Sequence, residues 1–226
     1  SALYGMALER FFPADFKPRS AHPLATDADL PESWPIAYED LVHFDEKAER
    51  LYRVRGEADT LRGEEFRPAY LPPPPLTQSA SQLRNYLAEQ GCHPYRLPQA
   101  CEFKPGCACC QGYLCHLGCK NDSGRICLEP ALKQHGAQLL DECEVLQLEA
   151  EAAHVTGVVC SYRGKAITLR GTVVILAAGA LYTPAILLAS MSAEWPDGLA
   201  NRSGLVGKNL MRHFVDLYVL RSGLKK

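Results

Sequence analysis

Long runs of basic residues are absent from this sequence of 226 residues. Its formal net charge at pH 7 is −2 and its isoelectric point is near 6.4, so the charge does not favour nucleic-acid binding. The start of the chain lacks the basic residues and the long apolar core of a secretory signal peptide. No internal repeat occurs, and four prolines at residues 72–75 are the one low-complexity tract. A hydrophobic fraction of 47% and a charged fraction of 22% indicate an ordinary globular protein.

Residues 172–190, TVVILAAGALYTPAILLAS, predict a strand, a tight turn and a helix. The apolar run from Val173 to Leu176 does not alternate, which is typical of a strand buried on both faces of a parallel sheet. Pro184 suits the first turn of a helix, because the amide that it lacks would have no partner there. In an open α/β sheet such a turn lies where ligands bind, although a core strand and helix without a ligand fit the pattern equally well. Gly179 and Pro184 in mid-span argue against a membrane helix.

Three further helices are predicted by apolar spacing and by start and stop signals. The first lies between Pro35 and Gly56. Its apolar residues at helical spacing are Leu41, Phe44, Ala48, Leu51 and Tyr52, and its expected solvated face carries Asp45, Glu46, Lys47, Glu49 and Arg50. A second helix is predicted at about residues 78–90, closed by Gly91, and a third around residues 125–135, ended by Gly136.

Residues 137–179 are rich in β-forming residues, with glycines as punctuation. This pattern predicts three or four strands, with a hairpin turn at Arg163-Gly164-Lys165. Together with the helices, the strands indicate the α/β class, or α+β within this chain.

Cysteine is abundant, with ten residues. Five of them fall within thirteen residues: Cys107, Cys109, Cys110, Cys115 and Cys119. Thiolates at this density suit zinc or an iron–sulfur cluster, and three ligands at this spacing would suit a three-iron cluster. Disulfides that pin a loop and free thiols are the alternatives. Cys143 and Cys160 lie in strand-like sequence and are expected to be buried as small apolar residues.

Residues 172–190 and those that follow resemble the C-terminal half of the signature of glucose–methanol–choline (GMC) oxidoreductases. The family pattern contains A-A-G-A, a proline, L-L-x-S and V-G-[RK]-N-L-x-x-H. This sequence matches it at residues 177–180, Pro184, residues 187–190, residues 206–210 and His213. Similar blocks are residues 1–16, which resemble the segment after the flavin-contacting motif, residues 34–56, and residues 118–140, before the adenine-contacting strand. The resemblance covers essentially the whole chain.

The resemblance implies a flavoprotein that oxidises an alcohol or a sugar: a base removes the hydroxyl proton while hydride passes from carbon to N5 of FAD. It also implies part of a Rossmann-like FAD-binding domain with a β-meander, interleaved with part of a substrate or cap domain. On this basis residues 1–16 lie near the flavin, residues 17–120 belong to the cap and carry the cysteines, residues 121–190 belong to the FAD domain, and residues 191–226 begin a second substrate segment.

By position in the family pattern, Val145 matches the residue whose backbone meets the adenine. Ala178 and Gly179 match the turn that passes near the dinucleotide, and residues at the start of the chain are expected close to the flavin: Ser1, Ala2 and Leu3. The catalytic residues of the family are expected beyond Lys226, so this chain is expected to contain none of them. His213 matches a histidine that is expected to order a loop.

One branch of the family, the bacterial membrane-associated sugar dehydrogenases, carries a three-iron (3Fe-4S) cluster on a C-C-x4-C-x3-C arrangement. Cys109, Cys110, Cys115 and Cys119 reproduce that spacing. The chain departs from the branch after Cys119, where Lys120 stands in place of the expected proline. The resemblance implies an electron-acceptor subunit or a quinone as a further partner, and it leaves the location open between the bacterial cytoplasm and the periplasm or membrane surface.

The sequence has no G-x-G-x-x-G after a first strand, so the pyrophosphate-binding turn of the FAD site is missing from it. We therefore expect an internal piece of a longer enzyme that neither holds FAD tightly nor turns over an alcohol by itself. The alternative function is a cysteine-rich structural module that binds a metal or an iron–sulfur cluster without catalysis. Self-association through exposed sheet edges is a third expectation.

Overall fold

The computed structural model describes residues 6–26, 30–63, 65–107, 110 and 113–211. The chain divides into two compact units, Ser1–Gln138 and Leu139–Lys226. In the described part of the chain, the sheet lies in the second unit and helices occur in both. This mixture of helices with a small antiparallel sheet is consistent with the predicted α/β class. No helix in the described ranges is both long and apolar enough to cross a membrane.

The first unit contains four α-helices among its described residues: α1 (Pro18–Ala21), α2 (Tyr38–Leu51), α3 (Gln78–Glu89) and α4 (Glu129–Gln134), which continues from a π-helical turn at Gly124–Leu128. Two short 3-10 helices lie at Pro13–Phe16 and Thr60–Arg62. The three helices predicted from the sequence are thus confirmed. The Thr77 hydroxyl accepts a hydrogen bond from the Ala80 amide at the start of α3, and Gly91, with φ of +80°, follows its end. Local capping chemistry therefore sets the bounds of α3.

The buried face of α2 differs from the prediction. Phe44 and Leu51, expected to face the core, are 61% and 53% exposed, whereas Glu49, expected in solvent, is buried. The physical reason is an ion pair: the Arg10 guanidinium donates two hydrogen bonds to the Glu49 carboxylate. Helical spacing shows which residues share a face, but an ion pair from a distant segment can decide which face is buried.

A cluster of Met6, Val54 and Ala100 forms the core of the first unit, with Tyr52 and Tyr70 packed against it. Short bridges hold the segments that carry these residues. Arg55 pairs with both Leu71 and Gln99, and Ala7 also pairs with Gln99. The core is therefore built from segments far apart in the sequence.

The second unit contains an antiparallel meander in the order β1 (Cys143–Ala150), β2 (Val155–Tyr162) and β3 (Lys165–Leu169). Val145 lies opposite Cys160, and Val159 lies opposite Thr168. Arg163 and Gly164 have φ of 49° and 76°, so the predicted hairpin turn between β2 and β3 is confirmed. Cys160 is fully buried as expected, while Cys143 is half-buried.

Helix α5 (Gly179–Ala189) is confirmed, but the strand predicted before it is not present. Val174 and Leu176 pack against a core cluster of Leu148, Ile186 and Leu199, whereas Val173 and Ile175 are 76% and 85% exposed. Burial on both faces needs neighbouring strands, and the described residues supply none beside this segment. His213, which is expected to order a loop, lies outside the described ranges.

Candidate functional site

The predicted flavin-binding residues fall on three parts of the chain. Val145 lies in β1, while Ala178 and Gly179 lie at the start of α5. Ser1, Ala2 and Leu3 lie outside the described residues.

The start of α5 presents an open turn of backbone. Ala178 and Gly179 are both exposed, and Gly179 has a φ of +83°. A Cβ atom added at Gly179 would meet no atom within 4 Å, so a ligand can approach this backbone closely. The Ala178 amide donates a hydrogen bond to the Thr183 hydroxyl at 3.1 Å, which holds the turn.

Pro184 lies deeper in α5 than the sequence predicts. The helix begins at Gly179, so Pro184 occupies its second turn rather than its first. The reason is local: glycine accepts the positive φ that starts the helix early. The amide missing at Pro184 would otherwise have donated to the carbonyl four residues before it.

Ser190 joins α5 to β1. Its hydroxyl accepts a hydrogen bond from the Leu148 amide at 2.8 Å and donates one to the Ile186 carbonyl at 2.6 Å. Ser190 is buried, and Leu148 and Ile186 belong to the core cluster against which Val145 also packs. The strand that carries Val145 and the helix that begins at Gly179 are therefore held on one core.

The register of β1 is irregular next to Val145. Val145 pairs with Cys160 and Gln147 with Val159, so the register shifts across Leu146, which is 43% exposed. Such an irregularity changes the direction of the backbone locally and is frequent beside binding sites. β1 is an edge strand of the described sheet.

The second candidate site is the cysteine loop, which we define as residues 101–119. Its two ends meet at an antiparallel bridge between Cys101 and Lys120. The Glu102 amide donates to the Cys119 carbonyl at 2.8 Å, and the Asn121 amide donates to the Ala100 carbonyl at 2.9 Å. The loop is thus closed at its base by main-chain hydrogen bonds.

A polar network supports this base. The Glu102 carboxylate accepts hydrogen bonds from Arg53 at 2.7 Å and from Asn121 at 3.0 Å, and a longer one from Arg55 at 3.4 Å. Asn121 is fully buried and also donates to the Tyr52 carbonyl at 2.9 Å. Because buried polar groups are costly unless paired, this network favours one position of the loop ends.

Five cysteines line one small cavity inside the loop, together with Gln99 and Lys120: Cys101, Cys107, Cys110, Cys115 and Cys119. Three of the four predicted metal ligands are therefore brought together, and the fourth, Cys109, lies outside the described residues. The sequence does not indicate that Cys101 joins them, because its approach depends on the bridge to Lys120.

The sulfur atoms differ in their surroundings. The Cys119 amide donates a hydrogen bond to the Cys115 sulfur at 3.2 Å, which lowers the pKa of that thiol. Burial raises the pKa of the Cys119 thiol. In the part of the chain that the structure describes, no group of three or more His, Cys, Asp or Glu residues is placed to hold a metal ion. The predicted ligand set therefore stays a prediction.

One family model and three relatives named as oxidases or dehydrogenases match this chain. Residues 79–215 match the family model of the GMC oxidoreductases. The chain is 32% identical to 6'''-hydroxyparomomycin C oxidase of Streptomyces lividus over 92% of this chain and 39% of that protein. It is 28% identical to paromamine 6'-oxidase of Streptomyces fradiae, over 93% of this chain and 39% of that protein. It is 26% identical to 2-methyl-1,2-propanediol dehydrogenase of Mycolicibacterium austroafricanum, over 91% of this chain and 38% of that protein. The chain thus spans about two fifths of the length of these relatives.

Proposed function

The chain belongs to the GMC oxidoreductase family, and from this premise we propose that it is part of an FAD-dependent enzyme that oxidises the CH–OH group of an alcohol or a sugar. The family match over residues 79–215 is the observation that carries the proposal. The three relatives are named as two oxidases and a dehydrogenase, which supports oxidation as the reaction class. Their names give different substrates, so we propose the substrate only as a small molecule with an alcohol or sugar hydroxyl.

We assign the second unit the role of holding the cofactor. Bound FAD would supply the acceptor of the hydride. Gly179 would let the dinucleotide approach the backbone at the start of α5, where first-turn amides favour negative charge. The backbone at Val145 would lie along the adenine, beside the register shift in β1. Ser190 would keep these two elements in one arrangement.

The experiment compares two glycine variants in the protein produced from the complete coding sequence in which this chain occurs. Gly179→Ala adds a Cβ at the proposed cofactor turn. Gly164→Ala is the matched control, because Gly164 also has a positive φ, also has open space around it and lies in the same unit. Both variants should lose about 1–2 kcal/mol of folding stability from backbone strain.

The expected result is a purified protein with a visible flavin band that bleaches when an alcohol or sugar substrate is added without oxygen. Gly179→Ala should lower the ratio of flavin to protein, whereas Gly164→Ala should leave it unchanged. A protein without flavin would contradict the proposed cofactor. If both variants lost flavin equally, the proposed role of Gly179 would be contradicted, but the proposed cofactor would not.

The three-iron cluster is a separate proposal. It is supported by the C-C-x4-C-x3-C spacing of Cys109, Cys110, Cys115 and Cys119. Iron analysis and electron paramagnetic resonance of anaerobically purified protein test it, with Cys115→Ser expected to abolish the signal and Cys92→Ser, outside the motif, expected to retain it. A cluster would also support an electron-acceptor subunit or a quinone as partner. Wild-type protein without iron would contradict the cluster.

A further inference from the structure

We propose that Cys101 and Cys107 form a reversible disulfide that cross-links the first arm of the cysteine loop. Their sulfur atoms are 4.0 Å apart in the structure. This is the distance of two thiols in contact, and a disulfide requires that they approach to about 2.05 Å. The proposal goes beyond the oxidation reaction and concerns two cysteines that the C-C-x4-C-x3-C motif does not include.

The backbone between the two cysteines already reverses direction. The Cys107 amide donates a hydrogen bond to the Lys104 carbonyl at 2.9 Å, and Gly106 has a φ of +80°. Cys101 is held at the base of the loop by its bridge to Lys120. The turn therefore returns Cys107 to Cys101, which places the two sulfur atoms 4.0 Å apart.

The exposure of the two thiols determines which of them reacts first. Cys107 is half-buried, whereas Cys101 is buried at 5% exposure. A small disulfide such as oxidised glutathione can thus reach Cys107 first. The Cys107 thiolate attacks one sulfur of glutathione disulfide, the sulfur–sulfur bond of that molecule breaks, and glutathione leaves and takes up the proton that Cys107 lost.

The second step completes the cross-link. Cys101, deprotonated, attacks the Cys107 sulfur of the mixed disulfide and releases the second glutathione, which takes up the second proton. The two protein thiols together lose two electrons and two protons, and the glutathione disulfide gains them.

The cross-link leaves the motif cysteines available. Cys109, Cys110, Cys115 and Cys119 carry the C-C-x4-C-x3-C spacing, and none of them is consumed by a bond between Cys101 and Cys107. The disulfide would fasten the segment that leads into Cys109 and Cys110 to the base of the loop. It would therefore favour the closed loop whether or not a metal is bound.

The experiment maps disulfides in the full 226-residue chain after oxidation with glutathione disulfide. Remaining thiols are alkylated under denaturing conditions, and the protein is cleaved on the carboxyl side of glutamate. Cleavage after Glu89, Glu102 and Glu142 places Cys101 with Cys92 in residues 90–102, and Cys107 with five other cysteines in residues 103–142. The bond appears as these two peptides linked together, and fragmentation of the linked pair in the mass spectrometer identifies which two cysteines it joins. The linked pair should be the main product, and the intact protein should be lighter by two hydrogen atoms for this bond.

Variants distinguish this bond from general oxidation. Cys107→Ser should leave Cys101 alkylated, and Cys92→Ser, which changes an exposed cysteine outside the loop, should retain the linked peptides. A main product that links Cys107 to Cys119 or Cys115 to Cys119 would overturn the proposal. So would alkylation of both Cys101 and Cys107 in the oxidised wild-type chain, a result that does not depend on the folding of any variant.

Discussion

The Arg10 guanidinium holds the Glu49 carboxylate in two hydrogen bonds of 2.6 and 2.7 Å, and both side chains are only 4% exposed. The Ala69 amide donates a third hydrogen bond to the same carboxylate at 2.7 Å. Burial lowers the pKa of Arg10, but the hydrogen bonds and charge of Glu49 outweigh it, so the pKa is raised overall. The pair joins the N-terminal segment to α2 and to the chain before Tyr70.

Glu49→Ala should destabilise the first unit by about 3–5 kcal/mol, because it leaves the Arg10 charge buried without its carboxylate partner. The two tryptophans, Trp34 and Trp195, lie one in each unit. Urea unfolding of a Trp195→Phe background, followed by Trp34 fluorescence, therefore reports on the first unit alone.

Two controls test the reason for that loss. Lys133→Ala breaks an exposed pair with Glu129 and should change stability by less than about 0.5 kcal/mol. The double variant Arg10→Met with Glu49→Leu should recover much of the loss, because it removes both buried charges. If Glu49→Ala unfolds no more easily than Lys133→Ala, the buried pair of Arg10 and Glu49 does not stabilise the first unit.

The stability of the first unit should fall in acid because the Glu102 carboxylate becomes protonated. Burial raises the pKa of Glu102, but hydrogen bonds from Asn121 and Arg53 and the charge of Arg53 outweigh it, so its pKa lies below the ordinary value of 4.5. A carboxyl with a lowered pKa contributes stability above the unfolded pKa and loses it as the pH falls through the folded pKa.

Glu102→Gln should therefore cost about 1–3 kcal/mol at pH 7, and its difference from the wild type should shrink below about pH 4.5. Urea midpoints measured across this pH range by Trp34 fluorescence provide the comparison. Arg53→Met should shrink the same pH dependence, because it removes the guanidinium that donates to the Glu102 carboxylate at 2.7 Å. If the stability difference between Glu102→Gln and the wild type stayed constant at all pH values, Glu102 would not be the source of the pH dependence.

Ser190→Ala should destabilise the second unit by about 1–3 kcal/mol, because the buried Leu148 amide loses its acceptor. Trp195 fluorescence in a Trp34→Phe background measures unfolding of this unit. Ser203→Ala is the matched control, since Ser203 is exposed and its hydroxyl accepts a long hydrogen bond, at 3.3 Å, from the Leu205 amide. Equal losses in both variants would argue against a special role for Ser190 in holding α5 to β1.

Ile175→Lys should weaken self-association of the chain. Ile175 is 85% exposed in the apolar segment of residues 173–176, beside which the described residues place no strand, and such a segment invites pairing with a second copy. The dissociation constant from sedimentation should rise at least about tenfold, or 1.4 kcal/mol. Leu139→Lys, at an apolar residue that is 61% exposed in the same unit, should have little effect. A wild-type chain that stays monomeric at high concentration would refute self-association.

Local structure followed from local chemistry. Gly91 follows the end of α3 as predicted, and Arg163-Gly164 forms the predicted hairpin turn, because each signal concerns dihedral angles within a few residues. The family was also identified from short motifs in chain order, and residues 79–215 confirm it. The helix after Gly179 was predicted, although its start was placed too late.

The sequence by itself therefore determined helices α2 to α5, the strands and hairpin turn of the meander, and the family. Only the tertiary structure decided that Glu49 is buried, that Cys101 joins the cysteines of the loop, and that residues 173–176 form no strand and leave Val173 and Ile175 exposed. Each of these depends on a segment distant in the sequence: Arg10 for Glu49, Lys120 for Cys101, and neighbouring strands for residues 173–176. Periodicity reports which side chains share a face, but the partner that buries or pairs them comes from elsewhere in the chain.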